Sequence, residues 1–118
     1  MITPITRQYL SRRGDVWEGE TFRLISPLGA AYWTNFEVRS QIRITANAPE
    51  IIHQFVITPV VTTEGSNGVL TFQINLSEAE SLGIIPGFYV GDIDVKSDSF
   101  PRSTICTYTF QQLIDVTR

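Results

Sequence analysis

The stretch Gly68-Val69-Leu70-Thr71-Phe72-Gln73-Ile74-Asn75-Leu76 alternates apolar and polar side chains. Leu70, Phe72, Ile74 and Leu76 share one parity, and Thr71, Gln73 and Asn75 share the other. Period two of this kind is the mark of a half-buried β-strand. The strand is entered from Glu64-Gly65-Ser66-Asn67-Gly68, where Asn67-Gly68 is a tight-turn dipeptide. The period then fails over 77–83, SEAESLG. Ser77 with Glu80 three residues on forms a capping box. Gly83 can close the segment as its C′ residue, and Pro86 forbids continuation. The pattern predicts a helix of one or two turns between two strands.

The same alternation recurs on both sides. In 36–45, FEVRSQIRIT, Phe36, Val38, Ile42 and Ile44 are expected inside, with Glu37, Arg39, Gln41 and Arg43 outside. In 88–96, Tyr89, Ile93 and Val95 oppose Asp92 and Asp94. Residues 104–117 carry Cys106, Tyr108, Phe110, Ile114 and Val116 on one parity. Residues 20–26 and 51–62 read as further strands, and Ile2–Leu10 as a weak one. Pro59 cannot donate to a ladder, so its strand is expected to lie at a sheet edge or to break there. Ser26-Pro27-Leu28-Gly29, Ala48-Pro49 and Phe100-Pro101 are loop chemistry.

Short strands separated by turns, with one short helix near 77–83, define an all-β fold. The expectation is a single antiparallel immunoglobulin-like β-sandwich of about seven strands. Tyr89, just after that helix, stands where such sandwiches carry a tyrosine corner; the rival reading is an ordinary core aromatic. Residues 1–18 are expected to form an N-terminal arm or edge strand, and 19–118 the sandwich. Arg12-Arg13-Gly14 suits an arm that reaches a neighbour.

Composition narrows the function. A chain of 118 residues is one domain. With 42% hydrophobic and 11% aromatic residues it can build a core, so disorder is excluded as its main state. A net charge of −3 and a pI near 5.0 argue against nucleic-acid binding through bulk charge. One cysteine excludes an internal disulfide framework and a cysteine-rich zinc site. Charged residues are only 18%, and of nine basic residues only Lys96 is a lysine. Arginine is the basic residue enriched at interfaces, so this bias points to a surface covered by protein in service; the rival source is an arginine-biased genome. The N-terminus has no signal-peptide core, and no window approaches the ~20 apolar residues of a membrane span. The chain starts with Met1 and is expected to be a complete, soluble product made in the cytoplasm.

Few residues suggest chemistry. His53, the single histidine, sits in a strand pattern without a marked nucleophile or orienting group. Cys106 lies inside a strand and reads as a small buried hydrophobe. Asp92 and Asp94, with Asp98 nearby, lack a calcium-loop spacing and read as the solvated side of a strand. No phosphate loop, serine elbow or metal-spaced cluster occurs, so no catalytic residue, cofactor or metal is expected. Arg39 and Arg43 share the outer side of one strand, and Arg12 with Arg13 forms a second basic spot; phosphate or carboxylate recognition, contact with an acidic protein partner and a plain solvated surface are the readings open to them. Trp17, Tyr32, Trp33 and Phe36 cluster in the first third and form either an exposed sugar platform or interface anchor, or core. The residues expected at an interface are therefore Arg12, Arg13, Trp17, Trp33, Arg39, Arg43 and Pro59.

Gly19-Glu20-Thr21-Phe22-Arg23-Leu24, followed by Val38-Arg39-Ser40-Gln41-Ile42-Arg43, then Gly68–Ser77, the Ser77–Leu82 helix, Tyr89 and the closing Val116-Thr117-Arg118, carries a resemblance. This order resembles small immunoglobulin-like β-sandwich domains of tailed-phage virion proteins. It resembles the N-terminal domain of siphophage upper baseplate proteins, and runs from Gly19 to the end. The resemblance implies a non-enzymatic structural component of a virion, made in the host cytoplasm. It would serve as a tail or baseplate adaptor or attachment protein that docks on other virion proteins in several copies. The alternatives are a carbohydrate-binding or adhesion module, a capsid or neck decoration protein and, more remotely, a small hydrolase using His53 and Asp92. Neither nucleic acid nor membrane is an expected partner.

Overall fold

The computed structural model describes residues 4–114. It is a two-sheet β-sandwich. The strands in chain order are β1 (Ile5–Arg12), β2 (Trp17–Ser26), β3 (Glu37–Arg43), β4 (His53–Gln54), β5 (Val60–Glu64), β6 (Asn67–Leu76), β7 (Gly87–Ser97) and β8 (Phe100–Leu113). One sheet has the order β1-β8-β7-β3-β4 and the other β2-β6-β5. This is the immunoglobulin arrangement of a C-F-G sheet over a B-E-D sheet, with β4 added beyond β3. The first strand has left the B-E-D sheet. It runs parallel to β8, from Ile5 opposite Cys106 to Arg12 opposite Leu113. Every other strand pair is antiparallel.

The core lies between the sheets. Phe22, Leu70, Phe72, Ile74 and Leu76 face Ile42, Tyr89, Ile93, Val95, Cys106, Tyr108 and Phe110, all buried. Alternation therefore holds over Leu70–Leu76 of β6 and Cys106–Gln112 of β8, and breaks where Val69, Asp94 and Ile105 are buried beside their inward neighbours, the last two at a slip between β7 and β8. Gly19 marks a bulge where β2 slips against β6. Its φ is +57°, and a Cβ there would stand 1.8 Å from the Ile74 carbonyl oxygen, so only glycine fits.

The helix forms as its local signals dictate. In α1 (Glu78–Leu82) the Ser77 side chain accepts from the Glu80 amide at 3.1 Å, and the Glu80 carboxylate accepts from the Ser77 amide at 2.8 Å. Gly83 caps it in the right-handed region (φ −77°), not in the left-handed conformation of a C′ glycine. The Tyr89 hydroxyl donates to the Ile85 carbonyl at 2.5 Å, so the tyrosine corner is present.

Four local expectations are corrected. Residues 51–62 are two strands in different sheets, because the chain crosses the sandwich between Gln54 and Val60 with Pro59 in the crossing. Ile44 is 60% exposed, since pairing stops at Arg43 opposite Val90 and parity no longer places the next side chain. Ile114 is 71% exposed for the same reason at the end of β8, and Gln112 takes the last inward position. The last strand starts at Phe100 rather than Thr104. Ile2, Val116 and the closing Val116-Thr117-Arg118 lie outside the described residues.

Candidate functional site

The sequence-predicted interface residues do not form one patch. Trp33 is 5% exposed, and its indole N–H donates to the Gly68 carbonyl at 3.1 Å, so it is a core residue. Trp17 is half-buried, packed edge-on against Tyr9 and Phe110 with ring centroids 5.3 and 5.2 Å away. Tyr32 stacks on Phe100 at 5.2 Å. These rings seal the ends and the seam of the sandwich; they do not line up as an open sugar platform. Arg12 donates to the Ile114 carbonyl (3.3 Å) and Arg13 to the Leu82 carbonyl (3.1 Å), tying the β1–β2 turn to the ends of β8 and α1. Pro59 stands half-buried in the crossing before β5.

The turn is held from inside as well. Buried Ser81 donates to the Arg12 carbonyl at 3.0 Å and accepts from the Gly14 amide at 3.0 Å. Gln112 donates to the Ser81 carbonyl at 2.9 Å. Glu20 accepts from the Tyr9 hydroxyl (2.7 Å) and from Arg7 (3.0 Å), clamping β1 onto β2.

Arg39 and Arg43 do share a surface. It is the outer side of the five-stranded sheet, and register orders it in rows. Arg43, Val90, Thr109 and Gln8 form one row; Gln41, Asp92, Thr107 and Thr6 form the next; Phe88, Gln111 and Leu10 form the row toward α1. Arg39 lies 3.6 Å from Asp94, which also accepts from the Thr104 hydroxyl at 2.8 Å. Arg43 and Asp92 form no ion pair with each other at that range. Burial raises the Asp92 carboxyl above the ordinary carboxylate value, and the Asp94 charge adds to this against Arg39 and Arg43.

A cavity of about 280 Å³ opens on this face. Thr6, Gln41, Arg43, Val90, Asp92 and Thr107 stand around it, with Gly91 and Tyr108 also lining it. Two further hollows, of about 430 and 460 Å³, adjoin Phe88: one shared with Leu10 and Gln111, the other with Leu113 and Ile114. Phe88 is 73% exposed and Leu10 is also exposed. Sequence reasoning passed over both. Their signal is an apolar side chain on the polar parity of its strand: Phe88 shares its side of β7 with Asp92.

Among the described residues, no catalytic constellation surrounds His53 or Cys106. The His53 ring meets Phe55 edge-on at 4.9 Å, its Nε2 is buried without a partner, and burial holds it below the ordinary imidazole value. Burial pushes the fully covered Cys106 thiol up, away from the thiolate a nucleophile needs. Among the described residues, no three His, Cys, Asp or Glu side chains gather as a metal site, and no helix is long and apolar enough to cross a membrane.

No protein-family model matches the chain, and no curated protein matches it in sequence. Among solved structures, a family 123 glycoside hydrolase from Clostridium perfringens, studied for glycolipid glycan hydrolysis, aligns with 97% of this chain at 15% identity and a TM-score of 0.41. The aligned part is 24% of the hydrolase, so the chain spans about a quarter of that enzyme. A likeness at that level carries no argument about what this chain does.

Proposed function

We propose that this chain is a non-enzymatic docking domain, a structural component of a tailed-phage virion that attaches by protein–protein contact. The carrying observation is the outer side of the β1-β8-β7-β3-β4 sheet. Its β1-β8 half is a field of threonine and glutamine with Phe88, Leu10 and Val90 beside it, and its charges are Arg39 and Arg43 of β3, Asp92 and Asp94 of β7, and Arg12 at the end of β1. Patches built this way, with apolar anchors in a neutral surround, are what protein partners cover. The open edges of β1, β2 and β5 add unpaired backbone groups for strand addition. The resemblance in the order of motifs supplies the virion setting. Gly19, the first residue of that resemblance, occupies a position that only glycine fits.

The sugar-binding alternative is weaker, because Trp17, Tyr32 and Trp33 spend their rings on other rings of the protein. The test is density-gradient fractionation of particles released by cells that make this chain. The chain is expected to travel with the particle band at a constant ratio to the major structural proteins through a high-salt wash. Recovery only at the top of the gradient would contradict the proposal.

A further inference from the structure

We infer that the outer side of the five-stranded sheet is a two-fold self-association surface, on which Phe88 of each copy seats in the hollow beside Val90 of the other. This rests on the reading of that side as a docking surface and names a second copy of the chain as its occupant; it does not depend on the virion setting.

The first argument is shape. One flat side of the sheet carries both a projecting ring and an open hollow. Phe88 is 73% exposed, and the hollow two residues further along β7 has a volume of about 280 Å³. Its apolar parts are Val90 and Ala46, and Gly91 at its floor adds no side chain. Phe88 cannot fill this hollow itself, because both belong to the same side of one rigid strand. A two-fold axis lying in the interface midway between knob and hollow brings each knob onto the other copy's hollow. Such an isologous contact makes both insertions at once and closes, leaving no chain-forming end.

The second argument is charge. The chain carries −3 overall, yet the middle of this face is balanced. Arg39 is taken up by Asp94 at 3.6 Å. What remains at the hollow is one group of each sign, Arg43 and Asp92. A self-complementary surface needs this balance, since residue i of one copy meets residue j of the other in both directions. An entering Phe88 ring also meets the Arg43 guanidinium, a favourable cation–π neighbour.

The third argument is area. The four strands β1, β8, β7 and β3, paired over seven or eight residues, offer on the order of 500 Å² in flat projection. Side-chain relief brings this toward the ~800 Å² per partner of a stable interface. The Thr–Gln rows between knob and hollow cost little to desolvate compared with lysine or glutamate, and they can hydrogen-bond across the contact.

The test is sedimentation equilibrium on the wild-type chain, Phe88→Ala and Thr107→Arg. Both positions are exposed, so neither substitution removes core packing, and an unchanged thermal midpoint checks this. Thr107→Arg fills the hollow from its rim and leaves Phe88 in place. The expected result is a wild-type dimer with Kd of about 1–100 μM, weakened at least about tenfold by each substitution. A wild-type chain that stays monomeric at ~1 mM would overturn the inference, as would a dimer indifferent to both variants. A monomer that still co-purifies with particles would overturn this inference alone and leave the docking function standing.

Discussion

Gly91 and Tyr108 compete for one volume: a Cβ on Gly91 would stand 2.5 Å from Tyr108 Cζ and 2.7 Å from the Gln41 carbonyl oxygen. The ring is not free to swing aside. Its hydroxyl lies 2.7 Å from Ser40 Oγ, and Ser40 spends its own proton on the Asp92 carbonyl at 2.8 Å. Tyr108 is therefore the donor to Ser40, and this buried pair ties β8 to β3 beneath β7. Gly91→Ala is expected to destabilise the fold by about 1–3 kcal/mol through overpacking, read as a lower urea midpoint with unchanged slope. Tyr108→Phe should cost about 1 kcal/mol, because it removes one donor and leaves the ring in place. Equal stability of Gly91→Ala and the wild-type chain would refute the close fit.

At the other end of the sandwich, the capping box of α1 gives a local test. Ser77→Ala removes the acceptor of the Glu80 amide and is expected to cost about 1 kcal/mol, whereas Ser77→Asp should keep most of the stability. Thermal unfolding of the two variants side by side checks this. Loss by both in equal measure would show that the side chain has some other role.

That box was legible in the sequence because its determinants lie three residues apart. The same holds for the alternating stretches of β6 and β7 and for the tyrosine corner, where Tyr89 reaches back only to Ile85. The crossing between His53–Gln54 and Val60–Glu64 was not legible. Residues 51–62 are mostly apolar, and nothing local states that one half pairs with β3 and the other with β6. The buried Ser81–Gln112–Gly14 knot was hidden for a similar reason, its members being drawn from three separate segments. As for the surface, Arg39 and Arg43 were placed on the right side of β3. The knob and hollow beside them depend on registers across four strands that the sequence does not state.

The single histidine sets a pH dependence. His53 is held below its ordinary value of 6.5 by burial, with the Glu80 charge opposing. The unfolded chain binds this proton more tightly than the folded one. The neutral imidazole thus contributes stability that is present above 6.5 and lost as pH falls through the folded value. Unfolding free energy should rise from about pH 5 to pH 7 in the wild-type chain, and His53→Gln should flatten that part of the curve. An unchanged slope in the variant would assign the effect to other groups.

Asp92 has the opposite sign. Its folded value is raised by burial and by Asp94, against Arg39 and Arg43, so its ionised form is a net strain on the monomer at neutral pH. Its favourable contribution is complete below the ordinary value of 3.8 and is lost as pH rises through the folded value. Asp92→Asn is expected to raise the melting temperature of the monomer at neutral pH, with the gain shrinking as the solution is acidified. If the face is a two-fold contact, the same substitution leaves Arg43 short of a charge partner and weakens the dimer. Opposite movements of melting temperature and dimer affinity in one variant are hard to obtain from a purely structural carboxylate.

The docking role is tested most directly by gold-antibody labelling of intact particles with an antibody raised against this chain. The account predicts gold at one fixed position on a tailed particle, in repeated copies about its axis. Particles that stay bare, while the chain is recovered free in the supernatant, would contradict it.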